Sequence, residues 1–271
     1  MSEKDVEFPL IEEKQFSMSD TVKMSYILSE GAKNLTLVFL HGLGSSKYDF
    51  LHTFDYEDLN AYNILIIDFI GHGNSSSLED FPFTIESQAM VVFKLIEHLT
   101  LPEDVIILAH SMAGPVAIKL AELLGNRAAG MIYAEGNLDE NDCFLSNSII
   151  TTYTFEAWLK EGFKTYVEML EQDPDSIYYA SNFLKAGPVS TYLSSLDVVK
   201  ISKEGKLLDR LVALSIPVLV IFGEKNKGKF TSEEKLTGKF PIIYIPNATH
   251  DMMYENSDAF YDSIIDFLSQ Y

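Results

Sequence analysis

The stretch ILAHSMAGP, residues 107–115, contains a serine at the point where an apolar run gives way to small residues. It departs from the pattern G-x-S-x-G, which marks a nucleophilic serine on a sharp turn between a strand and a helix, because Ala109 and Ala113 stand at the glycine positions. The turn needs small residues there since the two backbones pass close together, and alanine adds only a methyl group. The alternative is that Ser111 is an ordinary helix N-cap. The strand-like run before it favours the nucleophile.

Short β-branched runs alternate with helix-length amphipathic segments on both sides of this stretch. The alternation is typical of an α/β fold with a mostly parallel central sheet and helices on both faces. The sequence predicts strands over residues 35–40, 63–69, 104–109, 130–135, 217–222 and 241–245. Residues 84–99 predict a helix that is capped by Thr84 and has one apolar face. Residues 12–29 predict a hairpin, which would begin the sheet with an antiparallel pair.

One long region, residues 136–210, contains no strong strand and repeats its apolar residues at helical spacing. We interpret it as a helical cap inserted into a core domain formed by residues 1–135 and 211–271. Two aromatic residues of this cap, Trp158 and Tyr166, are candidates for bordering a substrate pocket. The general preference of large apolar side chains for burial favours the alternative that they form the core of the cap itself.

The charge balance narrows the classes of partner. The chain has 20 Lys and Arg against 40 Asp and Glu, and its net charge of -20 argues against nucleic acid and anionic membranes, which bind positive surfaces. No segment approaches the roughly 20 unbroken apolar residues that span a bilayer, and the acidic N-terminal segment lacks the order of a signal peptide. The single cysteine, Cys143, excludes an internal disulfide and a multi-cysteine metal site. We expect a cytoplasmic protein.

Four short motifs follow predicted strands in a particular order. They are HGLG at 41–44, DFIGHGNSS at 68–76, HSMAGP at 110–115 and NATHDMM at 247–253. Each is a weak signal by itself, but together and in this order they resemble the α/β-hydrolase family, in particular its members with a helical cap. The resemblance covers almost the whole chain apart from the cap.

The resemblance implies a role for several residues. A serine hydroxyl is a poor nucleophile and needs a neighbouring base, so Ser111 would attack while His250 accepts its proton. In this family two backbone N–H groups stabilise the oxyanion, and the corresponding donors here are those of Leu43 and Met112. Backbone donors leave no side-chain signature, so this assignment rests on position alone.

The acidic residue that would complete a triad with Ser111 and His250 departs from the commonest family pattern. Much of the family carries an Asp shortly after the seventh strand, where this sequence has Asn226. Other members carry the acid after the preceding strand, where Glu135 stands. Glu135 is therefore the leading acid, with Asp139 and Asp142 as alternatives further into the cap and Asn226 as an orienting amide. Glu135 could instead be the N-cap of the first cap helix.

The remaining polar residues of the motifs are expected to be structural. Asp68, at a strand end, is expected to be a buried carboxylate that accepts hydrogen bonds from loop amides. The other five histidines are expected to pack, bond the scaffold or lie at the surface: His41, His52, His72, His98 and His110.

The sequence therefore predicts a cofactor-free serine hydrolase that cleaves an ester, a thioester or a related acyl bond through an acyl-enzyme. The cap, rich in aromatic and aliphatic residues, predicts a small-molecule substrate with an apolar or aromatic acyl group. Carbon–carbon bond hydrolysis uses the same triad and is an alternative. A second class is a ligand sensor or partner-binding protein with slow turnover, and a third is a cofactorless oxygenase, which the serine elbow disfavours. The oligomeric state is not predicted.

Overall fold

The central feature of the fold is one sheet of eight strands. The structure is a computed structural model and describes residues 12–78, 80–102 and 104–271. The strands are β1 Glu13–Ser17, β2 Lys23–Ser29, β3 Leu35–Leu40, β4 Asn63–Ile67, β5 Asp104–His110, β6 Ala128–Ala134, β7 Val218–Gly223 and β8 Ile242–Ile245. Every predicted strand is confirmed, with ends shifted by one or two residues. The strand predicted over 63–69 ends at Ile67, where Asp68 begins to bond the neighbouring loops.

The strand order explains how the motifs meet. The order is β1-β2-β4-β3-β5-β6-β7-β8, in which β1 and β2 form the predicted antiparallel hairpin and β2 also pairs antiparallel with β4. All other neighbours are parallel. The carboxyl ends of the parallel strands therefore lie along one edge of the sheet, and ligands bind at this edge in open α/β sheets.

Alternate strand residues enter two separate hydrophobic cores. Along β5, Ile107 belongs to the core on one face, whereas Ile106 and Leu108 belong to the core on the other. This two-residue period comes from the pleat of a strand. The first core packs against α1 Ile85–His98 and α2 Ala113–Leu124, and the second against α10 Ser257–Leu268. Because both faces of the sheet are covered, the central strands β3, β4, β5 and β7 are almost entirely apolar.

The predicted helix over 84–99 is confirmed as α1, with Thr84 as its N-cap. The Thr84 side chain accepts a hydrogen bond from the Ser87 N–H at 3.1 Å, and the Ser87 hydroxyl accepts one from the Thr84 N–H at 3.0 Å. This reciprocal pair satisfies two of the N–H groups that a helix start leaves unpaired. No helix within the described residues is long and apolar enough to cross a bilayer.

The chain between β6 and β7 forms the predicted helical insertion. It contains α3 Phe144–Thr152, α4 Phe155–Ala157, a π-helical turn at Trp158–Gly162, α5 Phe163–Glu171, α6 Ile177–Lys203 and α7 Leu207–Ala213. The α6 segment is interrupted at Gly187, whose φ is +75°, and Pro188 follows without an N–H to continue the ladder. After β7 come the short helices α8 Thr231–Leu236 and α9 Met252–Glu255.

A buried ion pair joins the start of the 3-10 helix Lys47–Asp55 to the segment that follows β4. Lys47 and Asp68 are both fully buried and bonded to each other, and Lys47 also lies 3.3 Å from the carboxylate of Glu13. The Asp68 carboxylate accepts hydrogen bonds from the N–H groups of Lys47 and Asn74 at 2.7 and 2.8 Å. The prediction that it binds loop amides is confirmed, and the contact with Lys47 was not foreseen.

Candidate active site

Ser111 occupies the sharp turn between β5 and α2. Its φ is +57°, a left-handed conformation that is uncommon for a residue with a side chain. Its N–H donates to the carbonyl of Ala134 at 3.1 Å, and its carbonyl accepts from the N–H groups of Gly114 at 2.9 Å and Asn137 at 3.1 Å. Such strain persists only where the surroundings fix the backbone. Hydrogen bonds from three directions provide that constraint here.

The alanines of the elbow fit without distortion of the surrounding packing. Ala109 and Ala113 are both fully buried, where the end of β5 packs against the start of α2. The position that tolerates no side chain is Gly114, because a Cβ there would lie 2.3 Å from the hydroxyl oxygen of Tyr133. The elbow therefore requires glycine at residue 114 and only a small residue at 109 and 113.

Glu135 and His250 are in direct contact. Glu135 follows β6 in a left-handed conformation, with a φ of +43°, and its carboxylate is buried. Nδ1 of His250 donates to Oε2 of Glu135 at 2.6 Å. The Gly223 N–H, at the end of β7, donates to Oε1 at 2.8 Å. The parallel sheet thus brings the ends of β6, β7 and β8 together around one carboxylate.

The alternative positions for the acid lie elsewhere. Asp139 bonds the ammonium group of Lys235 at 2.7 Å, and the Asp142 carboxylate accepts from the N–H groups of Leu138 and Asp139 at 3.0 Å. Asp139 caps the short 3-10 turn Glu140–Asp142, so it fills the capping role that was an alternative for Glu135. Both aspartates stabilise the start of the helical insertion.

Asn226 does not contact the imidazole through any hydrogen bond of the described residues. It ends the 3-10 turn Glu224–Asn226 after β7, and its Nδ2 lies 3.1 and 3.0 Å from the two carboxylate oxygens of Glu135. The expected contact between this amide and the imidazole is not formed, since the amide binds the Glu135 carboxylate instead.

The environment of His250 favours its protonated form. Burial by itself would lower the pKa of His250, but the hydrogen bond and negative charge of Glu135 outweigh it, with smaller contributions from Asp251 and Glu255. The pKa of His250 is therefore raised above its ordinary value. Its side chain is 41% exposed, so His250 is only partly removed from solvent. A histidine in this state is suited to accept a proton and hold it.

His110 connects the elbow to the base. Its ring centroid lies 4.4 Å from that of His250, and its Nε2–H donates to the His250 carbonyl at 3.0 Å. Burial holds the pKa of His110 well below its usual range, so the ring is neutral. The Ser111 hydroxyl has no hydrogen-bond partner among the residues that the structure describes.

The loop after β3 lies against the serine. A Cβ placed on Gly42 would be 3.2 Å from Cβ and 3.7 Å from Oγ of Ser111. Burial lowers the pKa of His41 to about 3, and the neutral ring holds this loop: Nδ1–H donates to the Gly42 carbonyl at 2.7 Å while Nε2 accepts from the Phe69 N–H at 3.1 Å. His41 is thus structural, as the sequence analysis expected.

The two expected oxyanion donors are unpaired. Leu43 and Met112 are 5% and 1% exposed, and within the described part of the chain neither backbone N–H donates a hydrogen bond. Buried backbone N–H groups are seldom left without a partner. Met112 directly precedes α2, whose N-terminal end carries a partial positive charge. An oxygen anion near Ser111 would therefore meet a favourable field.

The helical insertion covers this loop with two residues that the sequence analysis missed. The Tyr179 hydroxyl donates to the Leu43 carbonyl at 2.8 Å, and the ring of Phe183 lies so close to Gly44 that a Cβ there would be 2.1 Å from a ring carbon. Both belong to α6, and helical spacing does not show which of its aromatic residues meet the loop. Their contacts place the insertion directly above the loop.

The two aromatic residues singled out from the sequence lie deeper in the insertion. Trp158 is fully buried, and its Nε1–H donates to the Pro188 carbonyl at 2.9 Å. Its ring centroid is 6.2 Å from that of Tyr166, which in turn is 4.9 Å from that of Phe183. Trp158 therefore packs in the core of the insertion, and Phe183 stands between that core and the loop after β3.

The chain matches a known protein family over most of its length. The sequence pattern of the Alpha/beta hydrolase family matches residues 37–263, which is most of the chain. The chain belongs to the alpha/beta hydrolase family. As a member of this family with the enzyme relatives described next, it is a hydrolytic enzyme.

The relatives of this alpha/beta hydrolase include enzymes that act on esters. It is 23% identical over 238 residues to Lipase 3 of Moraxella sp. (strain TA144), covering 80% of this chain and 70% of that protein. Among solved structures it is similar to a thermophilic esterase from Thermogutta terrifontis, with 18% identity and a TM-score of 0.76. The match covers 96% of this chain and 98% of the esterase chain. It is also similar to the N-acyl homoserine lactonase AidH complexed with N-butanoyl homoserine, with 16% identity and a TM-score of 0.70. The match covers 95% of this chain and 96% of the lactonase chain. At these identities the structures establish the fold.

Among the described residues of this alpha/beta hydrolase, no group of three His, Cys, Asp or Glu side chains could hold a metal ion. At the carboxyl edge of the sheet the structure instead places Ser111 on the elbow after β5 and the hydrogen-bonded pair of Glu135 and His250. This combination suits proton transfer and nucleophilic attack.

Proposed function

We propose that this protein is a cofactor-free serine hydrolase that cleaves a small acyl ester, thioester or related acyl bond through an acyl-enzyme. The observation that carries the proposal is the 2.6 Å hydrogen bond between Glu135 and His250, whose ring packs against His110, the residue before the strained elbow at Ser111. A nucleophile, a base and a group that orients the base are the parts that acyl transfer by serine requires.

In the first half of the reaction, Oγ of Ser111 attacks the acyl carbon while Nε2 of His250 removes the hydroxyl proton. Glu135 keeps Nδ1 protonated, so Nε2 is the nitrogen that is free to accept. The resulting imidazolium lies beside the Glu135 carboxylate, whose charge stabilises it. His250 then gives its proton to the leaving group, and the acyl group remains as an ester on Ser111.

The Leu43 and Met112 N–H groups stabilise the negative oxygen of the tetrahedral intermediate. They are buried and unpaired beside Gly42, which itself lies against Ser111. Donors that are already oriented cost no reorganisation when the charge develops. In the second half, a water molecule attacks the acyl-enzyme with His250 again as the base, and the acid product leaves.

The helical insertion over residues 136–210 acts as a cap on the core domain assigned to residues 1–135 and 211–271, of which residues 1–11 lie outside the described part of the chain. The cap borders the acyl site through Tyr179 and Phe183. These aromatic side chains favour a small substrate with an apolar or aromatic group. The names of the relatives, a lipase, an esterase and an acyl homoserine lactonase, support a small molecule with an acyl–oxygen bond. Carbon–carbon hydrolysis would use the same residues and would appear in a substrate screen.

A second candidate function has one observation in its favour. Several large hydrophobic side chains on the insertion are exposed, among them Phe144, Met169, Ile177 and Leu184, each more than half exposed. An apolar surface on a cap would suit a ligand sensor that signals to a protein partner while turning over slowly. Fast hydrolysis of simple acyl esters by the isolated protein would argue against it.

A fluorophosphonate probe tests the proposal. The wild-type protein should be labelled covalently, and Ser111→Ala should abolish both the labelling and most of the hydrolysis of p-nitrophenyl acetate. The expected loss in turnover is at least about 10³-fold, because only binding and the oxyanion donors remain. Ser77→Ala, which changes an exposed serine, is the matched control and should behave as wild type. Labelling that survives in Ser111→Ala would refute the proposal.

A further inference from the structure

Asn226 and Glu135, which stand at the two sequence positions where members of the family carry their acid, are in direct contact. The amide of Asn226 lies at hydrogen-bond distance from both carboxylate oxygens of Glu135, at 3.1 and 3.0 Å. The assignment of the amide is consistent on its other side, where Oδ1 accepts from the ammonium group of Lys229 at 3.4 Å. The two positions, 91 residues apart in the sequence, therefore occupy one site in the fold.

The Glu135 carboxylate is satisfied by N–H donors alone. Gly223 donates to Oε1, His250 donates to Oε2 and Asn226 reaches both oxygens. No Lys or Arg in the described part of the chain forms an ion pair with it, although it is only 1% exposed. A buried carboxylate without such donors would be costly, so each of these hydrogen bonds contributes to stabilising it in this position.

The position of Asn226 also restricts where the carboxylate can point. The Gly223 N–H is fixed by the backbone at the end of β7 and binds only Oε1, so this single hydrogen bond restrains but does not by itself fix the rotation of the carboxylate about its last side-chain bond. A second donor that reaches both oxygens opposes this rotation and keeps Oε2 directed at His250. Accurate orientation of a catalytic group matters because displacements of about 1 Å can reduce rates about 10²-fold.

We infer that Asn226 is a positioning residue that holds Glu135 against His250, and that it performs this role only as a neutral amide. The inference rests on the proposed function. Because Glu135 already carries the negative charge of the site, an Asp at position 226 would place two carboxylates about 3 Å apart, and such a pair shares one proton instead of ionising twice. The presence of Glu135 therefore explains why position 226 carries an asparagine where much of the family has an aspartate.

The test compares two variants of Asn226 with a control on the same turn. Asn226→Leu keeps the approximate size but removes the donors, and Asn226→Asp keeps the shape but adds a second acid. Lys225→Ala changes an exposed side chain and leaves the backbone bond from the Lys225 N–H to the Ala248 carbonyl in place. The measurements are kcat and KM for p-nitrophenyl acetate across pH, the labelling rate with the fluorophosphonate, the melting temperature and the proton NMR signal of His250 Nδ1–H.

The expected result is a selective loss of turnover. Asn226→Leu should lower kcat by about 10- to 100-fold, the scale of hydrogen bonds to a charged group, with little change in KM. Its Nδ1–H signal should broaden or move, since the acid is no longer held. Asn226→Asp should be less active than wild type near neutral pH, and its kcat profile should show one additional ionisation. Lys225→Ala should match wild type in every measurement.

Two outcomes would overturn the inference. If Asn226→Leu loses only melting temperature, with kcat and the NMR signal unchanged, the amide merely stabilises the fold. If Asn226→Asp is as active as wild type or more so, position 226 can itself carry the acid. The aspartate variant is isosteric and keeps the test decisive should the leucine variant fail to fold. Failure of the proposed function is separate, because it would appear as labelling that survives in Ser111→Ala.

Discussion

The carboxylate of Glu135 accepts a 2.6 Å hydrogen bond from Nδ1 of His250 across 115 positions of the sequence. The bond fixes which nitrogen of the ring carries the proton, and it directs Nε2 away from the carboxylate. Glu135 reaches this position because β6 ends at Ala134 and the chain then turns through a left-handed residue. The end of β6 and the positive φ of Glu135 thus place its carboxylate beside His250, which lies in the loop after β8.

The first prediction concerns the charge of Glu135. Glu135→Gln should lower kcat for p-nitrophenyl acetate by about 10² to 10⁴-fold, because the amide cannot stabilise the imidazolium formed on His250. The melting temperature and circular dichroism should show that the variant is folded. A turnover number within a few-fold of wild type would show that Glu135 is not the acid.

The pH dependence of the same variant has a definite sign. His250 must be neutral to accept a proton, so kcat/KM falls as the pH drops below its pKa, which Glu135 raises above the ordinary value. In Glu135→Gln the main cause of the increase is removed while burial still lowers the pKa. The acidic limb of the kcat/KM profile should therefore move to lower pH, and an unmoved limb would contradict the assignment.

The second prediction concerns the contact between the insertion and the loop after β3. Tyr179→Phe removes the hydroxyl that donates to the Leu43 carbonyl at 2.8 Å, so the loop that holds the proposed oxyanion donor loses a support. We expect a decrease in kcat of about tenfold and a stability cost of about 1 kcal/mol, the scale of one neutral hydrogen bond. Steady-state kinetics and urea unfolding measure the two effects.

Tyr192→Phe is the matched control for this change. Tyr192 lies on the same segment, and its hydroxyl also donates to a backbone carbonyl, that of Tyr153 at 3.0 Å, but within the insertion itself. It should lose a similar amount of stability and keep its kcat. Equal kinetic losses in both variants would mean that the loop does not depend on Tyr179 in particular.

The third prediction concerns the buried ion pair below the loops. Lys47→Met leaves Asp68 and the nearby Glu13 without their cation, and removing one partner of a buried pair costs about 3–5 kcal/mol of the free energy of unfolding. Urea unfolding monitored by fluorescence measures it. A cost below about 1 kcal/mol, the value for exposed pairs, would show that the loop amides alone suffice for Asp68.

Lys119→Met provides the comparison at the surface. Lys119 lies 3.0 Å from Glu86, whose side chain is 72% exposed, so water solvates the carboxylate that is left behind. Its loss should change the free energy of unfolding by no more than about 1 kcal/mol. The difference between the two lysines isolates the effect of burial from the effect of removing a positive charge.

Most of the fold was predictable because its signals are local. The apolar run of β5, the Thr84 cap and the small residues around Ser111 each depend on neighbours within a few positions. The order of the motifs along the chain was sufficient for the fold class, and the family match over 37–263 supports it. The sequence also pointed to Glu135 and His250 as a pair, and the structure brings them together, although their catalytic role is a proposal.

Contacts between distant segments could not be derived in the same way. Trp158 was a candidate for the substrate pocket, yet this residue is enclosed by the insertion. The aromatic side chain that reaches the loop after β3 is instead that of Phe183. Helical periodicity shows which residues share a face, but it does not show which partner that face meets. The same limitation applied to Lys47, whose burial depends on the opposing Asp68.

The amino-acid sequence by itself thus determined the strands, the helices, the elbow at Ser111 and the residue types available at the edge of the sheet. Only the tertiary structure decided that Asn226 binds Glu135 and not the imidazole, since this choice depends on distances between the ends of β6, β7 and β8. The physical reason is the sheet itself: hydrogen bonds between parallel strands set which strand ends lie side by side, and the sequence of any one strand carries no record of its neighbours.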